Sequence, residues 1–487
     1  MKLLIGLDVG TSAVKGVLCA PNGSVLAQSQ RTVAFIRPAE SFVEMDPEVH
    51  YRTVCDLVRE LASRCPDDDS VAALSMACAS GNTILLDSAG APLGNIISWL
   101  DHRAAGQMGE LLPGFDLSGV YRVVGWQGHD SFPLAHLAWL RRHRPEQFAR
   151  ASRVAMNVDW LTWRLTGTWA IDHSNATTFY IQDQAGRKWH QPYLELLGIS
   201  EDMLSSLRPS GTAIGPLTAG AAADTGLSAS TLLVLGAFDH PSAARATGTL
   251  EEGDLLLSCG TSWVGFYPCA RRELLLSQDM LVDPFLSPRG PWAGMFALTA
   301  IGVSVEWLIE HLVLRSAADR ADRYGTFNAA AARAPRGASG LFINPYHDAA
   351  YLEGRAAALG AAREPHEIAR AVMEGTAFEM KGKIEALVSA GLIPRRINMV
   401  GGPSLSPIWP RILAEVTGLE IEIVHGQVAG AVGAAALAGI GAGIFRDDKD
   451  AALSIGGQPV LVTPSDSGSR EYARLYEGYR EFLRTEG

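Results

Sequence analysis

The chain has 487 residues, a net charge of −11, and 47% hydrophobic against 19% charged residues. That balance supplies material for a large core, excludes disorder as a description, and sets aside a nucleic-acid or anionic-membrane surface. Glycine, at 50 residues, stands above the usual ~7% without a collagen period, so many tight turns and close backbone approaches are expected.

Leu3–Leu7 reads as a short apolar strand, turning at Gly10-Thr11-Ser12 and returning over Val14–Leu18. Pro21-Asn22-Gly23 is a turn, and Ser24–Gln30 a third strand, so the chain opens with a β-meander. Asp46 can N-cap a helix with Pro47 at its first position, and Val54, Leu57, Val58 and Leu61 mark its apolar face. A strand near Val71–Ser75, a hairpin at Asp87–Gly90 and an apolar run at Asn95–Leu100 follow. Helices then dominate to about residue 208, and Leu232–Leu235 is a buried strand. Farther on come a strand at Ile397–Val400, a helix carrying Trp409, Ile412, Leu413 and Val416, and an uncharged Gly/Ala-rich stretch, Gln427–Phe445. That last stretch fits a tightly packed internal helix better than a membrane span. Asp8 breaks the N-terminal apolar run before a signal-peptide core is complete, and the six irregularly spaced cysteines suggest a reducing cytosol.

The strand and turn Leu7-Asp8-Val9-Gly10-Thr11-Ser12 return 250 residues later as Leu257-Ser258-Cys259-Gly260-Thr261-Ser262. Two β-turn-β units, each opening about half the chain, suggest a duplicated architecture with a boundary near Arg245–Glu252. The sequence has no P-loop, no G-x-G-x-x-G after a strand, no H-E-x-x-H and no G-x-S-x-G, which sets aside the chemistries those motifs carry. The Gly-Thr-Ser turns suit polyphosphate, because glycine lets backbone N–H groups face an anion and the hydroxyls add donors. A plain hairpin is the competing reading of either turn alone. Asp8 at the mouth of the first turn can hold a metal ion through water. Met399-Val400-Gly401-Gly402-Pro403-Ser404 is a glycine pair after a strand, able to admit a flat ligand or to make an ordinary turn. In Leu235-Gly236-Ala237-Phe238-Asp239-His240 an acid follows a buried strand and a glycine, where catalytic residues often stand. N-capping of a helix competes with that role.

These residues resemble the FGGY carbohydrate kinases, from about Leu3 to Phe445. Asp8–Ser12 looks like the family's first phosphate turn, Glu44-Met45-Asp46-Pro47 its E-x-D-P segment, and Trp99–Arg103 its W-x-D-x-R segment. Ser131–His143 fits the first signature with His136 in place of lysine. Leu165–Gly167, Asp172 and Ser174–Ala176 also match, and Glu367–Glu374 fits the latter half of the second signature. The resemblance implies an α/β fold of two ribonuclease H-like domains of the actin-like ATPase superfamily, residues 1–246 and 247–487, flanking an active-site cleft. It implies transfer of the ATP γ-phosphoryl group, with Mg2+, to a sugar or polyol hydroxyl. Asp239 then corresponds to the general base, and Asp8 and Asp239 to the metal site. Gly10, Thr11, Ser12, Gly260, Thr261, Gly302, Glu306, Gly401, Gly402 and Ser406 correspond to ATP-binding positions. Ser80, Gly81, Asp101, Asp239 and His240 correspond to substrate-binding positions.

The departures lie on the substrate side. Ala79-Ser80-Gly81 carries neither the Gln-Met-His nor the Arg-Glu found in members of the family, G-E-R-T-P is absent where Asn344–Asp348 stands, and the front half of the second signature fits poorly near Ala358–Gly360. A ketopentose-like acceptor is expected, in a cytoplasmic enzyme that needs no nucleic acid or membrane, and the resemblance allows a homodimer. An actin-like ATPase or nucleotide-gated sensor with a decayed sugar site is the alternative. Leu255–Phe266 and Ile397–Trp409 contain no charged side chain, so bound phosphates would be held by backbone N–H groups and Mg2+, and net charge says little about them.

Overall fold

The computed structural model describes all residues except 68, 69, 114, 261, 300, 315, 346–359, 361 and 487. Thr261, Tyr346–Asp348 and Ala358–Leu359 therefore lie outside the described residues. The chain divides into two compact units. The first comprises Met1–Leu250, Ala270–Gly294 and Val428–Gly457, and the second Glu251–Cys269, Met295–Gln427 and Gln458–Gly487.

The first unit is built on a six-stranded sheet of β1 (Lys2–Val9), β2 (Ala13–Cys19), β3 (Val25–Thr32), β4 (Ser70–Cys78), β5 (Ala213–Pro216) and β6 (Leu232–Phe238), in the order β5-β6-β4-β1-β2-β3. The first three strands form the expected antiparallel meander. β4 joins β1 in parallel, and β6 joins β4 in parallel. Central β1 is almost wholly buried, which its apolar run allows, while edge strand β3 is largely exposed and polar. The helix Pro47–Ala62 begins as expected, with the Asp46 Oδ1 accepting the Val49 N–H at 2.9 Å. Val54, Leu57, Val58 and Leu61 on that helix are buried. The apolar run at Asn95–Leu100 yields only the two-residue strand Ile96–Ile97. Between residues 108 and 203 helices dominate, as expected, with two- and three-residue strands set between them.

The helix Ala429–Gly441 belongs to this unit and packs on β1. Its composition has a direct cause. A Cβ on Gly6 would collide with the Ala431 carbonyl oxygen, and one on Gly433 with the Ser242 carbonyl oxygen. Helix, strand and the neighbouring helix Asp239–Ala246 therefore meet at backbone distance, which only glycine and alanine permit. Among the described residues no helix is long and apolar enough to cross a membrane.

The second unit repeats the pattern. Its strands are β7 (Asp254–Cys259), β8 (Trp263–Cys269), β9 (Trp292–Leu298, from Met295 onward), β10 (Arg396–Gly401), β11 (Glu420–Ile423) and β12 (Val460–Val462). They run in the order β12-β11-β10-β7-β8-β9. β7 pairs antiparallel with β8 and parallel with β10, as β1 does with β2 and β4. Both sheets end on an antiparallel edge strand, β5 or β12, but β5 precedes its partner in the chain and β12 follows it. The Gly-Thr-Ser turns also differ in length: Val9 pairs with Val14, whereas Cys259 pairs with Trp263. The sequence echo is therefore an echo of topology, with one residue fewer in the second turn.

Candidate active site

Three parallel strands of the first unit end side by side. Cys78, the last residue of β4, pairs with Val9 of β1 and Phe238 of β6, so Asp8 and Asp239 flank that end of β4. Gly236 is what lets β6 lie so close, because a Cβ there would collide with the Met76 carbonyl oxygen. Burial, and then the Asp239 carboxylate, push the Asp8 carboxyl up to about 7, with Lys15 across the hairpin opposing them. The Cys78 thiol is raised well above its ordinary value by burial and by the carboxylates around it, Asp172, Asp8, Asp239 and Asp159. The carboxyl edge of this sheet thus gathers acids that share one low-dielectric setting.

Asp239 opens the helix Asp239–Ala246 as its first residue, and Phe238 takes the N-cap position. The Asp239 Oδ1 accepts the N–H of the adjacent His240 at 2.7 Å, not that of the second or third residue beyond, so capping does not account for the acid. His240 Nε2 lies 3.8 Å from the same oxygen, and its ring meets Phe238 edge-on at 5.6 Å. Behind the junction, Ser174 Oγ accepts the Phe238 N–H at 3.1 Å and donates to Asp283 Oδ2 at 2.6 Å. Asp283 Oδ1 in turn accepts the Phe285 N–H at 2.7 Å. Ser174 lies in a segment that resembles the family and Asp283 in none, and the bonds that join them to Phe238 arise only in the fold.

In the Gly10-Thr11-Ser12 turn, Gly10 N–H donates to the Ala13 carbonyl at 3.1 Å, Thr11 Oγ1 accepts from Trp99 Nε1 at 3.0 Å, and Ser12 is exposed. The first turn of the helix Ala429–Gly441 stands over Asp8, so that a Cβ on Gly430 would lie 2.9 Å from Asp8 Oδ2.

The residues expected on the substrate side divide. Ser80 is buried and donates its hydroxyl to Asn175 Oδ1, and Asn175 is itself fixed by Asp172 (Nδ2 to Oδ2, 2.6 Å). Gly81 takes φ +98°, and the Phe132 ring fills the space a side chain there would need. Asp101 is wholly buried and fully engaged. Its Oδ2 accepts from the Val43 N–H (2.6 Å) and Arg103 Nη2 (2.8 Å), and its Oδ1 from the Arg103 N–H and Nε (2.8 Å each). Burial works against its charge, but the hydrogen bonds from Arg103 and Val43 prevail and hold the carboxyl below its usual range. His136, in the lysine place of the signature, is buried with Nδ1 3.0 Å from Thr83 Oγ1, and burial drives its pKa down to about 3.

The second unit carries the remaining expected positions. Gly260 is exposed in the β7–β8 turn, its N–H directed at the Ser262 carbonyl at 3.3 Å. Gly302 and Glu306 lie on the helix Ile301–Leu308, with Glu306 paired to Arg323 and accepting from Tyr324 Oη at 2.7 Å. Gly401 ends β10 at φ +95°, where a Cβ would collide with the Cys259 carbonyl oxygen. Gly402 starts a short 3-10 turn, and Ser406 Oγ donates to Asn328 Oδ1 at 2.6 Å while accepting the Trp409 N–H at 3.1 Å.

For a divalent metal the relevant groups are Asp8 and Asp239. Among the described residues no three His, Cys, Asp or Glu side chains gather as a protein-only metal cage. Mg2+ does not require one, since it keeps waters and phosphate oxygens and takes one or two carboxylates. Hard carboxylate oxygens from Asp8 and Asp239 fit that donor set.

Residues 3–245 match the model of the FGGY family of carbohydrate kinases, N-terminal domain, and residues 255–442 that of its C-terminal domain. The chain is 28% identical to an autoinducer-2 kinase of Klebsiella pneumoniae over 92% of this chain and 87% of that one. It is also 28% identical to the xylulose kinase of Escherichia coli over 90% of each. The crystal structure of xylulose kinase from Rhodospirillum rubrum superposes with a TM-score of 0.82 at 25% identity, over 99% of this chain and 98% of that one. Glycerol kinase from Plasmodium falciparum, at 16% identity, shares the fold with a TM-score of 0.82 over 99% of this chain and 98% of that one. Matches across both halves favour the kinase reading over the nucleotide-gated sensor. The chain belongs to the FGGY family of carbohydrate kinases, phosphotransferases with a sugar hydroxyl as acceptor.

Proposed function

We propose that this kinase transfers the γ-phosphoryl group of ATP to a hydroxyl of a small ketose or polyol, a ketopentose-like acceptor first among them. The observation that carries this is Asp239, placed beyond β6 with its carboxylate near enough to Asp8 to raise that group's pKa. Asp239 takes the proton of the attacking hydroxyl as its oxygen bonds to phosphorus and the bond from the γ-phosphorus to the bridging oxygen breaks, releasing ADP. Mg2+, when held by Asp8 and Asp239, supplies charge neutralisation for the phosphate oxygens. Gly10, Thr11 and Ser12 hold phosphate in the first unit. Gly260 and Thr261 do so in the second, and Gly302, Glu306, Gly401, Gly402 and Ser406 contact the nucleoside. His240 faces the acceptor, while Ser80 and Gly81 border it. Relatives named xylulose kinase and autoinducer-2 kinase support a small carbonyl-bearing acceptor. A coupled ADP-release assay across ketopentoses, tetritols, pentitols and glycerol tests the reading. Acceptor-stimulated turnover is expected, and a flat panel would contradict it.

A further inference from the structure

The second unit holds a cavity of about 280 Å³ whose lining includes none of the positions assigned above to phosphate or nucleoside. It lies where the end of the helix Arg323–Arg333, the helix Pro365–Ser389 and the start of the helix Trp409–Thr417 meet. Its apolar lining is Ala332, Ala334, Pro407, Ile408 and Ile412. Its charged lining is Arg336, Arg370, Arg411 and Glu415. A pocket that joins an apolar surface to a few convergent charges is the usual form of a small-molecule site.

The acid in this lining is already satisfied. Buried Glu415 accepts from Arg336 Nε and Nη2 at 3.2 Å each and from Ser465 Oγ at 2.7 Å. Two of the arginines are not. Arg370 is 9% exposed, and its Nε and Nη2 donate to Glu374 Oε1 and Tyr472 Oη. Its Nη1 has no partner among the described residues, and an unmet guanidinium N–H at that depth is costly. Arg411 is 62% exposed, and its one ion pair is a loose one to Glu415 at 3.9 Å. Glu415 and Glu374 offset two of the three guanidiniums, whereas Glu471 reaches Arg336 from outside the lining, is 42% exposed and is screened by water. The charge left over calls for a single anionic group, and a carboxylate matches the paired N–H donors of guanidinium.

We propose that this cavity binds a small monocarboxylate, its carboxylate shared by Arg370 Nη1 and the Arg411 guanidinium and its carbon chain against Ile408 and Ile412. The site is distinct from those of ATP and the acceptor, so it stands or falls independently of the kinase reading. A neutral chain of the same length lacks the charge-assisted hydrogen bonds, and a phosphate dianion brings more charge than the lining balances and no apolar part.

The test is a ligand-observed NMR titration of the full chain with butyrate, 1-butanol and inorganic phosphate. Butyrate is expected to bind with a Kd of about 1–10 mM, and more tightly than either of the others. Arg411→Gln, at an exposed position, is expected to keep the parent Tm and weaken butyrate about fivefold or more. Ala332→Leu, which narrows the cavity from an exposed helical position, is expected to weaken it about threefold or more without changing the fold. No butyrate binding up to about 50 mM overturns the inference, as does 1-butanol or phosphate binding as tightly as butyrate. Butyrate binding that neither variant changes places the ligand elsewhere and overturns it too.

Discussion

Ser174 and Phe238 are joined by a hydrogen bond from the Phe238 N–H to Ser174 Oγ at 3.1 Å, across 64 residues of sequence. The bond fixes the last backbone N–H before Asp239, and Asp283 fixes Ser174 in turn at 2.6 Å. Ser174→Ala leaves that N–H and the Asp283 carboxylate without their shared partner. A loss of about 1–3 kcal/mol in stability is expected, with kcat reduced by about tenfold and ATP affinity unchanged. Urea denaturation and steady-state kinetics read the two effects, and Ser174→Thr, which keeps the hydroxyl, should recover most of kcat.

Two glycines on one helix separate function from folding. A Cβ on Gly430 would stand 2.9 Å from the end of the Asp8 side chain, which can swing aside. A Cβ on Gly433 would meet the Ser242 backbone, which cannot. Gly430→Ala should keep a near-native Tm and lower kcat at least tenfold. Gly433→Ala should lose about 1–3 kcal/mol or more of stability. Thermal melts alongside initial rates distinguish them.

The buried acids set a pH dependence of stability. Burial raises Asp159 to about 7, and Asp172 and Asp283 to about 6 each. Their folded-state values exceed the unfolded one near 4, so the native state binds protons more tightly. Their stabilising contribution is therefore complete below about pH 4 and is lost as pH rises through about 6–7, by at most roughly 3–4 kcal/mol per group. Denaturation midpoints measured between pH 4.5 and 7.5 should show this slope, and Asp283→Asn should flatten part of it. Acid unfolding from other groups appears below that window.

Asp101 and Arg103 form a buried pair at 2.8 Å that also ties down Glu44 at 2.6 Å. Arg103→Ala would strand the Asp101 charge in the interior, at a cost of about 3–5 kcal/mol. Asp101→Asn should likewise lower Tm while leaving KM for the acceptor within about twofold. A large rise in that KM with an unchanged Tm would instead place Asp101 against the substrate.

The parts of this fold legible in the sequence are those governed by local patterns. The β-meander, the Asp46-capped helix and the strand ahead of Asp239 follow from apolar runs and turn residues a few positions apart. The Gly/Ala-rich helix was recognisable as a packed one, but its partner β1, more than 400 residues earlier, was not. Long-range hydrogen bonds leave no local trace, which is why the Ser174–Asp283 contact and the tie from Arg103 to Glu44 come only from the structure. The ring contacts of Phe132 with Tyr180 and of Trp126 with Phe238 were hidden for the same reason, since each joins separate segments. The shorter second turn was hidden because identical Gly-Thr-Ser letters conceal a different strand register.

The central claim is that Asp239 removes the acceptor's proton. General bases contribute about 10²–10⁴-fold, so Asp239→Asn should lower kcat by that factor in single-turnover phosphoryl transfer to the best acceptor of the panel, with ATP Kd within about threefold of the parent. Turnover near the parent rate in that variant would contradict the account.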